Sequence, residues 1–162
     1  MAPSATLLVD CRCTLGEGIL WWPDRRSLLW TDIEKSTLWI HRVDDDVSRQ
    51  VALPDRLGSF AICESGRLLL GLAKSLVYLD PETGHGADSR VEPIMAIEPT
   101  IPRNRINDGR TDRAGNFAEV SRTARVIKDH CLIQFFEIRV HAKKRRAAVM
   151  ISIIRSTSSG VL

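Results

Sequence analysis

The chain has 162 residues, of which 44% are hydrophobic and 27% charged, and its formal net charge is +3. This composition is typical of one soluble globular domain. No apolar run approaches the ~20 residues needed to cross a bilayer, and the first ten residues lack the basic start and long apolar run of an export signal. We therefore expect a cytoplasmic protein that has no membrane partner.

The charge is unevenly distributed along the chain. Residues 1–121 hold 14 Lys and Arg against 18 Asp and Glu, whereas residues 122–162 hold 9 against 2. The character of the sequence changes at about the same point, because turn-and-strand patterning stops near Val120. The sequence therefore predicts two parts, a folded unit over 1–120 and a divergent basic tail over 121–162.

The first predicted element is a group of four short strands. The runs ILWW, SLLWTDI, TLWIHRV and SRQVAL are rich in aromatic and β-branched residues, and PDRR, EKS and DDD supply the turns between them. The aspartates at 44–46 lack the ligand pattern of an EF-hand, so a solvated hairpin turn is favoured over a calcium site. Trp21, Trp22, Trp30 and Trp39 alternate on these strands, which favours core and inter-sheet packing over ligand stacking.

The second element repeats the first one. SFAICE, RLLLGLA and LVYLD are strand-like, VEPIMAI supplies a fourth run, and a third unit begins with RIN and continues after the turn DRAG. The repeat recurs every ~40 to 50 residues, which is the period of a β-propeller blade. A closed propeller needs at least about four blades, so the first 120 residues hold about two and a half blades of an unclosed ring.

The last element is not assigned by pattern alone. VIKDHCLIQFFEIRVHA is compatible with two strands or with an amphipathic helix, and AAVMISII is strand-like by β-branching. The basic run KKRR at 143–146 lacks interleaved aromatic residues and a recognisable nucleic-acid fold, so a nucleic acid is not expected as a partner.

The four cysteines lie at positions 11, 13, 63 and 131. Their spacing matches neither paired CxxC motifs nor a dense disulfide framework. A metal or redox role normally needs a nearby His or a second cysteine pair, and the sequence provides neither beside Cys11 and Cys13. Structural thiols are therefore the favoured interpretation.

Two motifs carry a resemblance to a known family. LGEG at 15–18 is followed by a tryptophan-rich strand, and R-x-N-D-G at 105–109 is followed by a D-x-x-G turn. Together they resemble the N-terminal half of the regucalcin/gluconolactonase family, also called the senescence marker protein family, over residues 7–117. Proteins of that family are six-bladed β-propellers with a divalent metal in the central channel, and many hydrolyse sugar lactones. The resemblance thus implies an all-β, partial six-bladed propeller.

The resemblance also implies a site. In the family the Glu of LGEG is a metal ligand, which corresponds to Glu17, and the Arg and Asn of R-x-N-D-G contact the substrate, which corresponds to Arg105 and Asn107. A guanidinium fork and a carboxamide suit a polyhydroxylated ring. Asp108 and Gly109 are expected to shape the turn, Asp by bonding its own backbone and Gly by a positive φ.

The rest of the family's site is expected elsewhere. Its other metal ligands, an Asn and an Asp that is also the catalytic base, come from later blades, so the general base is not assigned to a residue of this chain. The sequence departs from the family near Ala118, and Arg125 stands where an acidic substrate contact is expected. We expect a truncated chain with an incomplete site, and a shifted reading frame or alternative terminus is the hypothesis for the departure.

Two functions follow from these observations. The first is a metal-dependent hydrolase of sugar lactones, with Ca²⁺ or Zn²⁺ as cofactor and a small sugar lactone as partner, whose activity as this chain alone is uncertain. The alternative is a noncatalytic calcium-binding or interaction module. Half a propeller exposes blade edges, and exposed edges recruit further strands, so self-association through those edges belongs to this second hypothesis.

Overall fold

The computed structural model describes residues 5–83, 91–113, 115–123 and 132–136, which form three antiparallel sheets. Sheet 1 contains β1 (Gly16–Trp22), β2 (Ser27–Asp32), β3 (Thr37–Arg42) and β4 (Val47–Ala52), and a 3₁₀ turn, Pro23–Arg25, joins β1 to β2. Sheet 2 contains β5 (Leu57–Ile62), β6 (Leu68–Leu72), β7 (Ser75–Leu79) and β8 (Val91–Ala96). Sheet 3 contains β9 (Asn104–Thr111), β10 (Phe117–Thr123) and β11 (Leu132–Phe136).

The strand order confirms the predicted repeat. Each sheet is a meander in which consecutive strands pair side by side, β1-β2-β3-β4, then β5-β6-β7-β8, then β9 to β11. The predicted all-β class is confirmed, and so are the eight strands of the first two units. Sheet 3 shows three strands within the described residues, one of which, β11, resolves the ambiguity of LIQFF in favour of a strand.

Other predictions about the C-terminal part lie outside the described residues. AAVMISII and KKRR are in this group, and so is Arg125. The division into a unit over 1–120 and a tail over 121–162 stays a prediction. No helix in the described part of the chain has the length and apolar character needed to span a bilayer.

The hairpin between β3 and β4 confirms the turn predicted for the three aspartates. Asp45 accepts a hydrogen bond from Arg42 Nε at 2.8 Å, and Asp44 forms an ion pair with Arg26. Asp46 adopts a positive φ of 57°, which Asp tolerates better than most residues. All three side chains are exposed, so this acidic run is a solvated turn tied down by surface arginines.

The sheets are held face to face by two apolar clusters. The first cluster joins sheets 1 and 2 and includes Leu29, Leu38, Leu57, Leu68 and Leu70, all fully buried. A second cluster joins sheets 2 and 3 and includes Leu69, Leu76, Ile106 and Phe117. Leu68, Leu69 and Leu70 are all buried because β6 has sheet 1 on one face and sheet 3 on the other.

The four tryptophans divide between core and surface. Trp22 is 2% exposed and belongs to the first cluster, as predicted. Trp30 and Trp39 face each other across β2 and β3 with ring centroids 5.6 Å apart and planes within 7°. Trp21 is 43% exposed, because it points to the opposite face of β1 from the buried Trp22. The predicted packing role is therefore wrong for Trp21.

The first strand of every sheet is irregular. The register of β1 shifts between Glu17 and Leu20, that of β5 shifts between Leu57 and Ser59, and Asn107 is skipped in the pairing of β9 with β10. Such bulges bend a strand and redirect its side chains, and they are frequent next to active sites. The pairing of β7 with β8 is also irregular, between Leu76 and Val77, so β1, β5 and β9 are distinguished by being both bulged and the first strands of their sheets.

Candidate functional site

The segment that leads into Glu17 is fixed by one buried carboxylate. Asp32 at the end of β2 is fully buried and accepts hydrogen bonds from the backbone N–H groups of Thr14 at 2.9 Å and Leu15 at 3.1 Å. Burial acts to raise the pKa of Asp32, but these N–H groups, that of Lys35 and the Lys35 charge together hold the pKa below its ordinary value. Asp32 is thus ionised, and it fixes the backbone of Thr14 and Leu15 just before β1.

Glu17 itself lies at the bulge of β1. It pairs with Thr31, the next paired residue is Leu20, and Gly18 between them has a φ of 67°. A side chain is strained at this φ, so Gly18 gives β1 the local bend that a larger residue would resist. The Glu17 side chain is consequently exposed, and it is available to bind a partner.

A cavity of 340 Å³ brings the first strands of the three sheets together. Its lining includes Glu17 from β1, Gly58 and Ser59 from β5, and Asp108 and Arg110 from β9. Two carboxylates and one guanidinium thus line the same cavity, beside apolar side chains such as Phe60, although they are up to 93 positions apart in the sequence. Such a set can accept hydrogen bonds from hydroxyl groups and donate them to carbonyl oxygens.

Two of the predicted site residues, Arg105 and Asn107, are on β9 beside this cavity rather than in its lining. Both are half-buried, Asn107 is the bulged residue, and Arg105 Nη1 donates to the carbonyl of Ile106 at 3.0 Å. Ile106 between them is fully buried in the second apolar cluster. The structure thus brings Glu17 together with Asp108, and it places Arg105 and Asn107 on the same strand as Asp108; their roles stay predictions.

The predicted turn at Asp108 and Gly109 is wrong. Both residues lie inside β9, and the turn comes later, where Asp112 Oδ1 accepts the N–H of Asn116 at 2.9 Å and Gly115 has a φ of 84°. Asp108 does bond the local backbone, since its Oδ1 accepts the N–H of the next residue, Gly109, at 2.8 Å.

Gly109 is required for space rather than for a positive φ. A Cβ at this position would lie 2.8 Å from Phe117 Cζ, 2.9 Å from the Ala118 carbonyl oxygen and 2.9 Å from Ser59 Oγ. Contacts this short force a neighbour to move. Sequence reasoning missed this because the neighbours come from β5 and β10, which are distant in the chain.

Glu119 is a buried acid that the sequence did not single out. It is 1% exposed, and neither carboxyl oxygen has a hydrogen-bond partner among the described residues. Burial, followed by the charge of Glu98, raises the pKa of Glu119 to about 8. Alternation along β10 was the available signal, because Glu119 is two residues from the buried Phe117 and therefore shares its face.

The described residues fit only part of a metal site. Calcium takes six to eight oxygen ligands, and zinc normally takes three or four protein ligands. No group of three or more His, Cys, Asp and Glu side chains within the described ranges is positioned to hold a metal ion. Glu17 and Asp108 supply two carboxylates, which is too few for either ion.

Comparison with known proteins gives a family and two curated relatives. A family model described as "SMP-30/Gluconolactonase/LRE-like region" matches residues 15–125. An L-arabinolactonase of Azospirillum brasilense is 43% identical over 72% of this chain and 37% of its own length. A 6-deoxy-6-sulfogluconolactonase of Pseudomonas putida is 34% identical over 64% of this chain and 34% of its own length. The chain thus spans about a third of the length of these relatives.

Solved structures share the fold. A calcium-binding regucalcin from Agrobacterium tumefaciens superposes with a TM-score of 0.71 at 21% identity, covering 79% of this chain and 42% of that one. A luciferin-regenerating enzyme superposes with a TM-score of 0.67 at 20% identity, covering 88% of this chain and 47% of that one. The three sheets are therefore arranged as blades of a regucalcin-type propeller.

Proposed function

The chain belongs to the SMP-30/gluconolactonase/LRE-like family, and from this premise we propose that it acts in the hydrolysis of sugar lactones. The two curated relatives described above are named for lactones of sugar acids, and a third relative is named as a pentonolactonase. The proposed substrate class is accordingly a five- or six-carbon aldonolactone. Because the chain spans about a third of the length of these relatives, their lactonase activity is carried to it as a proposal.

One observation carries the proposal. Glu17 at the bulge of β1 and Asp108 on β9 line one cavity, and β5 contributes Gly58 and Ser59 to the same lining. This is the arrangement expected when the first strands of successive blades line a common channel. Small-molecule sites in proteins are usually concave and have a few convergent polar groups, and this cavity has both features.

The reaction needs a water molecule and a lactone that is bound in a fixed orientation. Water adds to the lactone carbonyl carbon, the ring C–O bond breaks, and the products are a hydroxyl group, a carboxylate and a released proton. In this proposal Arg105 and Asn107, on β9 beside the cavity, donate hydrogen bonds to ring and carbonyl oxygens, while Asp108 accepts from the sugar hydroxyls. No described residue is assigned as the general base.

A divalent cation, Ca²⁺ or Zn²⁺, is part of the proposal, with Glu17 as one ligand. A bound cation supplies carbonyl polarisation and lowers the pKa of bound water. The superposed regucalcin is described as a calcium-binding protein, which supports this choice. The two carboxylates of the cavity are too few to hold either ion, so the metal site proposed for Glu17 is incomplete within the described residues.

Lactonase assays test the proposal. Hydrolysis of L-arabinonolactone and gluconolactone releases one proton per turnover, so a pH indicator reports the rate above spontaneous hydrolysis. We expect this rate to require added Ca²⁺ or Zn²⁺, to be lost on chelation and to fall in Glu17→Ala. Asp45→Asn, in the solvated hairpin, is the matched control that keeps wild-type activity. Equal rates for wild type, Glu17→Ala and buffer would refute the proposal.

A second candidate function, an interaction module, rests on exposed apolar side chains along β1. Ile19 is 73% exposed and Trp21 is 43% exposed, and the neighbouring Leu7 is 82% exposed. Sheets 1, 2 and 3 already stack by burying such faces, so this face fits a blade of a second copy of the chain. Sedimentation over a concentration series is expected to show dimers that Ile19→Lys weakens and Val43→Lys, at another exposed position, does not. A concentration-independent monomer would exclude this function.

A further inference from the structure

Two cysteines before β1 have their sulfur atoms in contact. Cys13 Sγ donates a hydrogen bond to Cys11 Sγ across 3.3 Å, and Arg12 between them has a φ of 46°. A left-handed conformation costs an arginine about 1 kcal/mol, so the surrounding structure must stabilise it. The Lys35 ammonium contributes, because its Nζ donates to the Arg12 carbonyl at 3.0 Å. The backbone conformation at Arg12 and its hydrogen bond to Lys35 thus hold the two thiols together.

The pair is accessible to small reagents. Cys11 and Cys13 are each partly exposed, and they line an apolar cleft of 440 Å³ with Leu8, Ile19 and Trp30. Cys63, by contrast, is buried, and burial raises its pKa to about 11. Reactive cysteines are typically partly exposed, whereas buried ones are inert. The chain therefore offers both a candidate reactive pair and an internal unreactive reference.

The environment distinguishes the two sulfurs. Cys13 Sγ donates the hydrogen bond between them, and Cys11 Sγ accepts it. Burial and the hydrogen bond to Cys11 raise the pKa of Cys13, so Cys13 keeps its proton. The basic neighbours Arg12 and Lys35 adjoin the pair, although Arg12 also pairs with Asp10 at 3.2 Å. We therefore assign Cys11, the hydrogen-bond acceptor, as the attacking thiol and Cys13, which keeps its proton, as the resolving thiol.

We propose that Cys11 and Cys13 form a redox-active dithiol that closes to a reversible disulfide when it reacts with a hydroperoxide. The Cys11 thiolate attacks the peroxide, an S–O bond forms as the O–O bond breaks, and the leaving oxygen departs as water after protonation. Cys13 then attacks the sulfenic sulfur, the S–S bond forms as the S–O bond breaks, and the thiol proton leaves in a second water. Two thiols and one hydrogen peroxide give one disulfide and two waters.

The position of Arg12 makes the test direct. Trypsin cleaves after Arg12, which separates Cys11 in peptide 1–12 from Cys13 in peptide 13–25, so only a disulfide can hold the two peptides together. The reduced chain is treated with equimolar hydrogen peroxide, blocked with N-ethylmaleimide, digested and analysed by mass spectrometry. We expect the linked pair of peptides, the loss of two of the four alkylatable thiols, and full reversal by dithiothreitol.

Matched variants separate this site from general oxidation. Cys63→Ser is expected to retain the linked peptides, and Cys11→Ser and Cys13→Ser to lose them. In Cys13→Ser the Cys11 sulfenic acid is expected to accumulate and to react with dimedone. The yield of this dimedone adduct is expected to be several-fold higher than the yield of dimedone adduct in Cys11→Ser. Folded chain is expected to form the link several-fold faster than chain in urea. Links to Cys63 or Cys131, or equal rates with and without urea, would overturn the proposal.

Discussion

At the scale of single residues, two buried carboxylates are driven in opposite directions by their surroundings. Asp32 receives backbone N–H groups that hold its pKa low, whereas Glu119 has no hydrogen-bond partner in the described part of the chain and its pKa is raised to about 8. The contrast follows from what each side chain contacts, since both are almost completely buried. Each one makes a separate prediction about stability.

Glu119 is predicted to make the protein less stable as the pH rises. Its folded pKa of about 8 lies above the ordinary value of 4.5, so its contribution is fully present below pH 4.5 and is lost as the pH rises through 8. Urea unfolding at pH 5 and pH 9 is expected to show this loss in wild type, on the order of a few kcal/mol at most, and a much smaller loss in Glu119→Gln. The same pH dependence in both proteins would contradict the assignment.

Asp32 is predicted to stabilise the segment that leads into β1. Asp32→Asn replaces one acceptor oxygen by an amino group and leaves the N–H of Thr14 or Leu15 without its partner, which is expected to cost about 1–3 kcal/mol in urea unfolding at pH 7. Because the folded pKa is lowered, the difference from wild type should shrink as the pH falls below 3.8 and through the folded value. Asp45→Asn, in the exposed hairpin, is expected to leave the unfolding free energy nearly unchanged.

At the scale of elements, β5 and β9, which both line the candidate site, pack closely against each other at Gly58. A Cβ at Gly58 would lie 2.3 Å from the Ile106 carbonyl oxygen and 3.1 Å from the backbone nitrogen of Asn107. Backbone atoms cannot rotate away as a side chain can, so this position requires glycine. The bulge that carries Asn107 therefore depends on the absence of a side chain one sheet away.

Gly58→Ala is predicted to force β5 and β9 apart. The expected loss is about 1–3 kcal/mol or more of unfolding free energy, together with reduced lactone hydrolysis if the proposed function holds. Gly66→Asn is the control, because its nearest neighbour to a new Cβ is Arg25 Nη2 at 3.8 Å and Asn tolerates the φ of 80°. A loss for Gly58→Ala no larger than that of the control would show that the interface is not tight.

At the scale of the whole molecule, sheets 1 and 2 share one apolar cluster and sheets 2 and 3 share another. Stacked repeats of this kind gain stability from nearest-neighbour contacts. Sheet 2 is in the middle, so its β6 contributes leucines to both clusters. We therefore expect sheets 1 and 2 to unfold together rather than one after the other.

The tryptophans give a reporter for this coupling. All four lie in sheet 1, so tryptophan fluorescence follows that sheet. Leu70→Ala in sheet 2 is expected to destabilise the fluorescence-detected transition by about 2–5 kcal/mol, because Leu70 belongs to the cluster shared with sheet 1. Val47→Ala on β4, where the side chain is 49% exposed, should leave the transition within about 0.5 kcal/mol. An unchanged transition in Leu70→Ala would show that sheet 1 unfolds independently.

The sequence by itself determined the strands, their meander order and the motifs of the site. Alternating aromatic and β-branched runs separated by Gly, Pro and Asp turns are local patterns, so they are visible without a tertiary structure. LGEG and R-x-N-D-G likewise identified Glu17, Arg105 and Asn107, whose family-derived roles remain predictions.

The tertiary structure alone decided which distant groups meet. It placed Asp108 and Gly109 in β9 instead of a turn, joined Glu17 and Asp108 at one cavity, and buried Glu119 on β10. It also set the sulfurs of Cys11 and Cys13 at 3.3 Å. The physical reason is that cavity shape, burial and steric contact depend on neighbours from other sheets, and the spacing of residues along one chain does not encode them.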